Sequence, residues 1–304
     1  MRSLVSHRLF GPALILVAAT GFAFKAILIK ILYGEFAIEA ETLLALRLLF
    51  SLPFFLLMAA LAGGSVRTLE ARDWRALAAL GFTGYYLSSY LDFLGLQYIS
   101  AGLERLILFL QPTIVVLLSA LLFKTAVRRH HVISILLSYG GIALVFASNL
   151  RIAQEPAVVI LGSGLVFLSA LTYAGYLLGS GSVIGRLGSA RFTGYASIFA
   201  CAFATLHFLL MRGPGALVQP PRVYALSLIM ALVSTVLPIW LMAEGVKRIG
   251  ANQVSMISSV GPIITIYLGW LLLDEPVTAV QLAGAVLVLS GVLLASLKVE
   301  ALKR

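Results

Sequence analysis

Long apolar runs separated by short polar gaps occupy the chain from end to end. The runs approach the length of about 20 residues that a helix needs to cross a hydrocarbon layer of roughly 30 Å. Ten spans are predicted, at residues 10–32, 41–62, 74–94, 100–123, 131–148, 158–178, 190–211, 223–245, 251–273 and 277–297. The pattern therefore predicts an all-α integral membrane protein with ten transmembrane helices.

The amino-acid composition is typical of an integral membrane protein. Only 11% of its 304 residues are charged and the mean hydropathy is +1.05, whereas a soluble protein of this length needs a more charged surface. The net charge of +10 does not point to nucleic acid, because most basic residues lie in the gaps between apolar runs. The first run, 10–32, is too long for a signal-peptide core and contains Lys25 and Lys30, so we interpret it as a retained span. The lone Cys201 excludes a disulfide within the chain.

The stretch 95–145 recurs as 245–295 after a shift of 150 residues without a gap. The informative matches are Gly95 with Gly245, Ala101 with Ala251, Pro112 with Pro262 and Gly141 with Gly291. Apolar matches carry less weight in a chain that is 61% hydrophobic. The repeat predicts two duplicated halves, 1–150 and 151–304, and internal duplication is typical of transporters.

Basic residues predict the orientation of the helices. With the N-terminus in the cytoplasm, fifteen Lys and Arg residues face that side and only Arg151, Arg212 and Arg222 face the other. Both termini are then cytoplasmic, and the expected location is the plasma membrane, the inner membrane of a bacterium. Five spans per half is an odd number, so the second half is inverted relative to the first. Two inverted five-helix repeats allow one central site to open alternately to either side.

The repeated stretch also resembles a known family. The first copy has Gln111-Pro112-Thr113, Ala120-Leu121-Leu122, a basic turn and Gly140-Gly141, and the second has Gly261-Pro262, Leu271 to Pro276, Gln281 to Gly284 and Ser290-Gly291-Val292. These motifs are similar to the repeat of the drug/metabolite transporter superfamily, EamA type. The resemblance implies ten helices in two inverted repeats, a central cavity and secondary transport of small metabolites, often outward. In the first copy Lys124-Thr125 stands where the family usually has an acidic residue.

Four ionisable residues inside the spans are candidate binding residues, since a charge at membrane depth costs about 2.5–3.5 kcal/mol on insertion scales. They are Lys25, Arg47, Glu104 and Arg105. A helical rise of 1.5 Å per residue places the first three about 6–10 Å below the outer ends of their helices. Three helices thus bring charge to one layer of the membrane.

Two interpretations of this charged layer stay open. In one, Glu104 pairs with Lys25 or Arg47 as a structural ion pair. In the other, the excess positive charge of Lys25, Arg47 and Arg105 binds a substrate carboxylate or phosphate, while Glu104 takes an ammonium group or a coupling proton. Glu104 and Arg105 are adjacent on a helix, about 100° apart around its axis, so one of them is expected to serve structure. Their counterparts Val254 and Ser255 are uncharged, so the charge belongs to one half only.

Further candidates are aromatic residues and prolines. Tyr86, Tyr90 and Tyr176 are predicted to line a cavity, with an interfacial tyrosine belt as the alternative. Pro112 and Pro262 are predicted in mid-helix, as hinges or only as shapers of the bundle. Trp240 is a candidate gate or a packing residue, and Glu275 is expected to be the acidic start of the last span.

The chain has no recognisable nucleotide-binding loop or metal-ligand spacing, so no cofactor, metal or catalytic residue is predicted. The leading hypothesis is a secondary transporter, and an exporter, of a small metabolite such as an amino acid or organic acid. A coupling proton, an exchange substrate and a homodimer are compatible with it. The alternatives are an intramembrane enzyme acting on lipid headgroups, and a channel or receptor.

Overall fold

The computed structural model describes residues 2–63, 69–125, 127 and 129–297. The first half contains α1 (Arg2–Glu35), α2 (Ala40–Leu61), α3 (Ala71–Leu80), α4 (Ser88–Gly95), α5 (Ala101–Leu108), α6 (Gln111–Phe123) and α7 (Arg129–Ile152). The second contains α8 (Pro156–Leu187), α9 (Ser189–Met211), α10 (Pro221–Ala231), α11 (Leu237–Ser258), α12 (Gly261–Leu273) and α13 (Ala279–Leu297). The part of the chain that the structure describes is helical and contains no strand, which confirms the all-α class.

Eight helices in the described ranges are long and apolar enough to cross a membrane: Phe10–Glu35, Ala40–Leu61, Ala101–Phe123, Arg129–Ile152, Pro156–Leu187, Ser189–Met211, Pro221–Gly250 and Met256–Leu273. A shorter apolar helix covers Ala279–Leu294. The chain is also continuously helical from α3 to α4, through a π-helical turn at Gly81–Leu87. A second π-helical turn, Leu232–Val236, joins α10 to α11.

Two predicted spans are broken rather than continuous. Span 100–123 consists of α5 and α6, and span 251–273 consists of the end of α11 and α12. Pro112 and Pro262 lie inside the spans Ala101–Phe123 and Met256–Leu273, as predicted, and each stands in the first turn of the helix that follows a short interruption. Proline suits a first turn, where its missing N–H has no intrahelical partner to lose.

The backbone follows the 150-residue repeat at these special positions. The two π-helical turns overlap after the shift, and so do the two breaks that precede Pro112 and Pro262. Lys124 and Asp274, also 150 residues apart, both end their helices in the left-handed conformation with φ of 53°. Non-glycine residues rarely adopt this conformation, so the coincidence is a strong sign that the two halves share one local fold.

Packing between helices has the same two-fold pattern. The equivalent helices α2 and α9 pack on each other, as do the equivalent helices α7 and α13. Helix α1 packs against α11 and α12, and its counterpart α8 packs against α4 and α6. Small residues permit the closest approach, since Gly141 lies against Gly284 and Gly291 lies against Ser134 and Ser138. Each half thus completes the other, and the space between them is built from both.

Candidate functional site

A cavity of about 340 Å³ lies between the two halves. It is bounded by α1, α2, α4, α5 and α6 of the first half and by α8, α9 and α11 of the second, together with both π-helical turns. Its wall combines ionisable side chains (Lys25, Arg47, Asp92, Arg105), hydroxyls (Ser88, Ser89, Ser169, Ser197, Ser234, Thr235) and aromatic rings (Phe22, Phe55, Tyr85, Phe109, Tyr173). A concave site of this size with a few convergent polar groups is typical of small-molecule binding.

Equivalent positions of the repeat meet in this wall. Four pairs of residues separated by 150 positions all line the cavity: Arg47 with Ser197, Gly84 with Ser234, Tyr85 with Thr235, and Ser89 with Ile239. Two of these pairs lie inside the π-helical turns, and the pair Ser89 with Ile239 follows shortly after them. Equivalent positions of the repeat therefore share the cavity wall, although its charges come from the first half alone.

Lys25, Asp92 and Glu104 form a buried ion cluster at one side of the cavity. Lys25 Nζ lies 2.5 Å from Asp92 Oδ2 and 3.3 Å from Glu104 Oε1. Glu104 is fully buried and Asp92 is 2% exposed. The predicted pairing of Glu104 with Lys25 is thus present, but Asp92 is a second carboxylate that the sequence analysis did not single out. The sequence could have identified Asp92, because this charged residue lies inside the predicted span 74–94.

Arg47 does not join the carboxylates and instead extends toward the second half. Its Nε donates a hydrogen bond of 3.1 Å to Thr235 Oγ1, and its guanidinium lies 5.4 Å from the centre of the Phe93 ring. Its Nη1 is buried without a hydrogen-bond partner among the described residues. A buried guanidinium N–H without an acceptor is costly, so this atom is suited to receive an anionic ligand.

Arg105 occupies a similar position on α5. Its guanidinium lies 5.7 Å from the Phe109 ring, and its buried Nε also has no hydrogen-bond partner within the described ranges. Its Nη2 lies against Gly261, where a β-carbon would be only 3.2 Å away. Gly261 begins α12, so the positive end of a helix dipole adds to the positive charge of Arg105. The adjacent Glu104 does not line the cavity, so the two residues face different surroundings.

The three predicted tyrosines lie close to the cavity but do not line it. Tyr90 donates a hydrogen bond of 2.9 Å to Glu41 Oε1 and stacks on Tyr86, with the ring centres 6.3 Å apart. Tyr176 donates a hydrogen bond of 2.9 Å to the hydroxyl of Tyr85. The tyrosines in the wall are Tyr85 and Tyr173 instead.

The remaining candidates lie outside the wall. Pro112 and Pro262 start helices directly after the two breaks, next to the lining residues Phe109 and Gln111 in the first half. Trp240 is 59% exposed on the outer surface of α11, although the preceding residue, Ile239, faces the cavity.

Ion pairs and a helix cap join the two halves at one end of the bundle, which we call the acidic end and define by the loops 36–39, 96–100, 212–220 and 274–278. Arg212 lies 3.2 Å from Glu39 and 3.3 Å from Glu41, and Arg222 pairs with Glu35 at 2.8 Å. Here Glu275 accepts hydrogen bonds from the backbone N–H groups of Ala101 at 2.8 Å and Gly102 at 3.4 Å. Glu275 is therefore a helix-start acid, but it caps α5 of the other half rather than the last helix.

The described residues contain no group of three or more His, Cys, Asp or Glu side chains that could hold a metal ion. Among the described residues, the charged side chains in the wall are Lys25, Arg47, Asp92 and Arg105. The cavity is therefore polar and carries more positive than negative charge, so it can bind an anionic group.

The chain is similar to known transporters in sequence and to a solved structure in fold. The model of the EamA-like transporter family matches the chain twice, over residues 9–147 and 160–297. An uncharacterized transporter of Bacillus subtilis, YcbK, is 32% identical over 284 residues, covering 90% of this chain and 88% of YcbK. An uncharacterized transporter of Synechocystis, sll1319, is 24% identical over 95% of this chain and 93% of its own length. A protein of known crystal structure has the same fold, with a TM-score of 0.65 at 16% identity over 97% of this chain and 99% of its own.

Proposed function

The chain belongs to the EamA-like transporter family, and from this premise we propose that it is a secondary transporter of a small organic anion. The substrate is a carboxylate-bearing metabolite, such as an amino acid or an organic acid, which binds in the central cavity. Transport proceeds by alternating access and without a cofactor. The observation that carries the proposal is a cavity lined by equivalent positions of two repeats, in which Arg47 and Arg105 present buried N–H groups without acceptors.

The proposed architecture has ten membrane spans in two inverted repeats, residues 1–150 and 151–304. The eight candidate spans, the helical segment from α3 to α4 and the apolar helix Ala279–Leu294 together make ten. The two matches of the family model and the recurrence of the π-helical turns support two repeats. An odd number of spans per repeat makes them inverted, and both termini then lie in the cytoplasm. The proposed location is the plasma membrane.

The charge of the cavity favours an anion. The three cations Lys25, Arg47 and Arg105 exceed the two carboxylates Asp92 and Glu104 by one charge. The break before α12 adds the positive end of a helix dipole beside Arg105, an arrangement that broken helices of transporters use for anionic groups. Hydroxyls and aromatic rings fill the rest of the wall and suit the remainder of a small metabolite.

The contacts at the acidic end suggest how access changes. Glu275 of the second half holds the start of α5 in the first half, and Arg212 holds Glu39 and Glu41. Opening the cavity to this side requires these contacts between the halves to break. We expect them to form and break once per transport cycle, with export as the direction implied by the family.

Counterflow in proteoliposomes tests the proposal. Purified protein is reconstituted with an unlabelled amino acid or organic acid inside, and uptake of the same labelled compound is followed for a panel of both classes. A transporter shows uptake that is accelerated by internal substrate, whereas a channel shows flux without this acceleration and an enzyme shows conversion without flux. We expect Arg47→Gln to abolish counterflow and Trp240→Ala, on the exposed surface of α11, to retain it. Equal counterflow in Arg47→Gln and the unmodified protein would reject the site.

A further inference from the structure

The cluster of Lys25, Asp92 and Glu104 has more negative charge than its single ammonium group can balance. We propose that Asp92 and Glu104 form a proton site, and that binding of one proton there is linked to binding of one anion at Arg47 and Arg105. The inference rests on the proposed function, because it concerns the anion that this function assigns to the cavity. It goes further by adding a proton to the transported species: proton and anion cross together, so that export runs on the outward gradient of the anion.

The geometry of the two carboxyl groups is the first argument. Asp92 Oδ1 and both oxygens of Glu104 are buried and form no hydrogen bond with the described residues, although Lys25 pairs with Glu104 Oε1 electrostatically at 3.3 Å. Lys25 Nζ lies 2.5 Å from Asp92 Oδ2 and 3.3 Å from Glu104 Oε1, so the two carboxyl groups lie side by side and a hydrogen bond between them would satisfy their free oxygens. Ionised carboxylates are acceptors only, so they cannot form that bond until one of them carries a proton. A single proton therefore gives the pair a donor and removes an unbalanced charge from the membrane interior.

Ionisable groups of three neighbouring helices face the pair. The ionisable groups that face it are Lys25 and Tyr33 on α1, Arg47 on α2 and Arg105 on α5. Helix α12 has no charged residue, and the one charged residue of α8, Arg186, pairs with Asp73 far away at the opposite end of the bundle. The pair is thus surrounded by cations that also face the cavity.

Electrostatic linkage between proton and anion follows from this arrangement. Asp92 interacts with Arg47, and both carboxylates interact with Arg105. While both carboxylates are ionised, they offset much of the positive charge that an anion needs. One proton on the pair raises the net charge of the five ionisable groups from +1 to +2. The anion consequently binds more tightly to the protonated form, and by reciprocity the bound anion draws a proton onto the pair.

Infrared spectroscopy tests the proton site without any ligand. The carbonyl band of a protonated carboxylic acid is recorded for the reconstituted protein from pH 5 to pH 9. We expect a band in this range that titrates in the unmodified protein and disappears in Asp92→Asn and in Glu104→Gln. The matched control is Glu155→Gln, which removes an exposed acid at the start of α8 and should leave the band unchanged. A spectrum that is the same in all four proteins would overturn the proton site.

Calorimetry with benzoate tests the linkage. Benzoate is a small aromatic monocarboxylate that suits two arginines and a wall with aromatic rings, and titration in buffers of different ionisation enthalpy reports the protons taken up with it. We expect uptake of about one proton per benzoate and an affinity that falls about tenfold per pH unit above the titration of the pair, as single-proton linkage requires. In Glu104→Gln, which mimics the protonated form, benzoate should bind at all these pH values without proton uptake.

The outcomes separate the two proposals. Binding of benzoate by the unmodified protein without proton uptake would overturn the linkage and leave the proposed function intact. Absence of benzoate binding from pH 5 to pH 9 in both the unmodified protein and Glu104→Gln would count against the anion site itself, and so against both. Binding that depends equally on pH in Glu104→Gln and the unmodified protein would assign the proton to another group and overturn the proton site.

Discussion

The two halves of the molecule have the same local backbone features, but only the first half provides the charged residues of the cavity. The π-helical turns, the helix breaks and the left-handed residues Lys124 and Asp274 recur in both. The ionisable residues do not. Their counterparts after a shift of 150 residues are all uncharged: Gly175 for Lys25, Ser197 for Arg47, Met242 for Asp92, Val254 for Glu104 and Ser255 for Arg105.

This difference separates what the fold requires from what the site requires. If the buried charges were needed to form the five-helix unit, the second half could not form the same unit without them. The recurring features are turns, breaks and close helix contacts, which are properties of the backbone. The charges are an addition to one copy, and a buried charge that the fold does not need is a strong indication of function.

The first and largest expected effect is on Lys25, compared with its uncharged counterpart Gly175. Lys25→Met leaves Asp92 and Glu104 without their cation, and breaking a buried pair in this way costs about 3–5 kcal/mol of stability. Thermal unfolding in detergent measures the loss. We expect no comparable change for Gly175→Ala, because a β-carbon there meets nothing within 4 Å.

A triple variant sharpens the result. When Lys25→Met is combined with Asp92→Asn and Glu104→Gln, no charge is left unpaired in the cluster, so most of the lost stability should return. If Lys25→Met alone unfolds at the same temperature as the unmodified protein, the cluster does not hold the ionised groups that its geometry implies.

The second prediction compares Arg47 with Ser197, the equivalent residue in the cavity wall. Arg47→Gln removes the charge and the free N–H, and a hydrogen bond to a charged group contributes about 1.5–3 kcal/mol, or roughly 10- to 150-fold in affinity. Ser197→Ala removes only a hydroxyl and should weaken binding far less. Calorimetry with benzoate measures both. Equal losses of benzoate affinity in both variants would show that the two halves contribute equally to anion binding, and would contradict the assignment of the anion site to the first half.

Part of this organisation could be predicted from the sequence and part could not. Helix positions, the repeat and three of the four ionisable residues in the cavity wall follow from hydropathy, spacing and the cost of buried charge; Asp92 is the fourth. The tyrosines of the wall did not follow, because the π-helical turn Gly81–Leu87 changes the angle between successive side chains. As a result Tyr85 faces the cavity while Tyr86 and Tyr90 do not. The broken spans were also missed, since hydropathy is continuous across the breaks before Pro112 and Pro262.

The role of Glu275 depends on a contact that no local pattern contains. Its counterpart in the first half is Thr125, so the acid belongs to one copy only. Sequence reasoning assigned it to the nearest helix start, whereas the fold brings it to the start of α5. Contacts between the halves cannot be predicted from local sequence patterns, because they depend on how the halves pack against each other.

The third prediction concerns the close contact between the equivalent helices α7 and α13. A side chain at Gly291 would collide with Ser138 Oγ and with the carbonyl oxygen of Ser134, whereas a side chain at Gly140 meets nothing within 4 Å. Overpacking of this kind costs about 1–3 kcal/mol, so Gly291→Leu should lower the unfolding temperature and Gly140→Leu should not. Equal unfolding temperatures in the two variants would contradict the contact between α7 and α13.

The fourth and smallest expected effect is on the cap that the second half provides to the first. Glu275→Gln weakens the hydrogen bonds to the N–H groups of Ala101 and Gly102, and losing a helix cap costs about 0.5–2 kcal/mol. The start of α5 should then open more often, which hydrogen exchange of the peptide covering residues 96–106 detects as a rate increase of roughly 2- to 30-fold. Glu155→Gln, at the same end but without a side-chain cap, should leave this peptide unchanged. Unchanged exchange in Glu275→Gln would mean that the halves are held at the acidic end by the Arg212 and Arg222 ion pairs alone, and that opening the cavity does not depend on releasing α5.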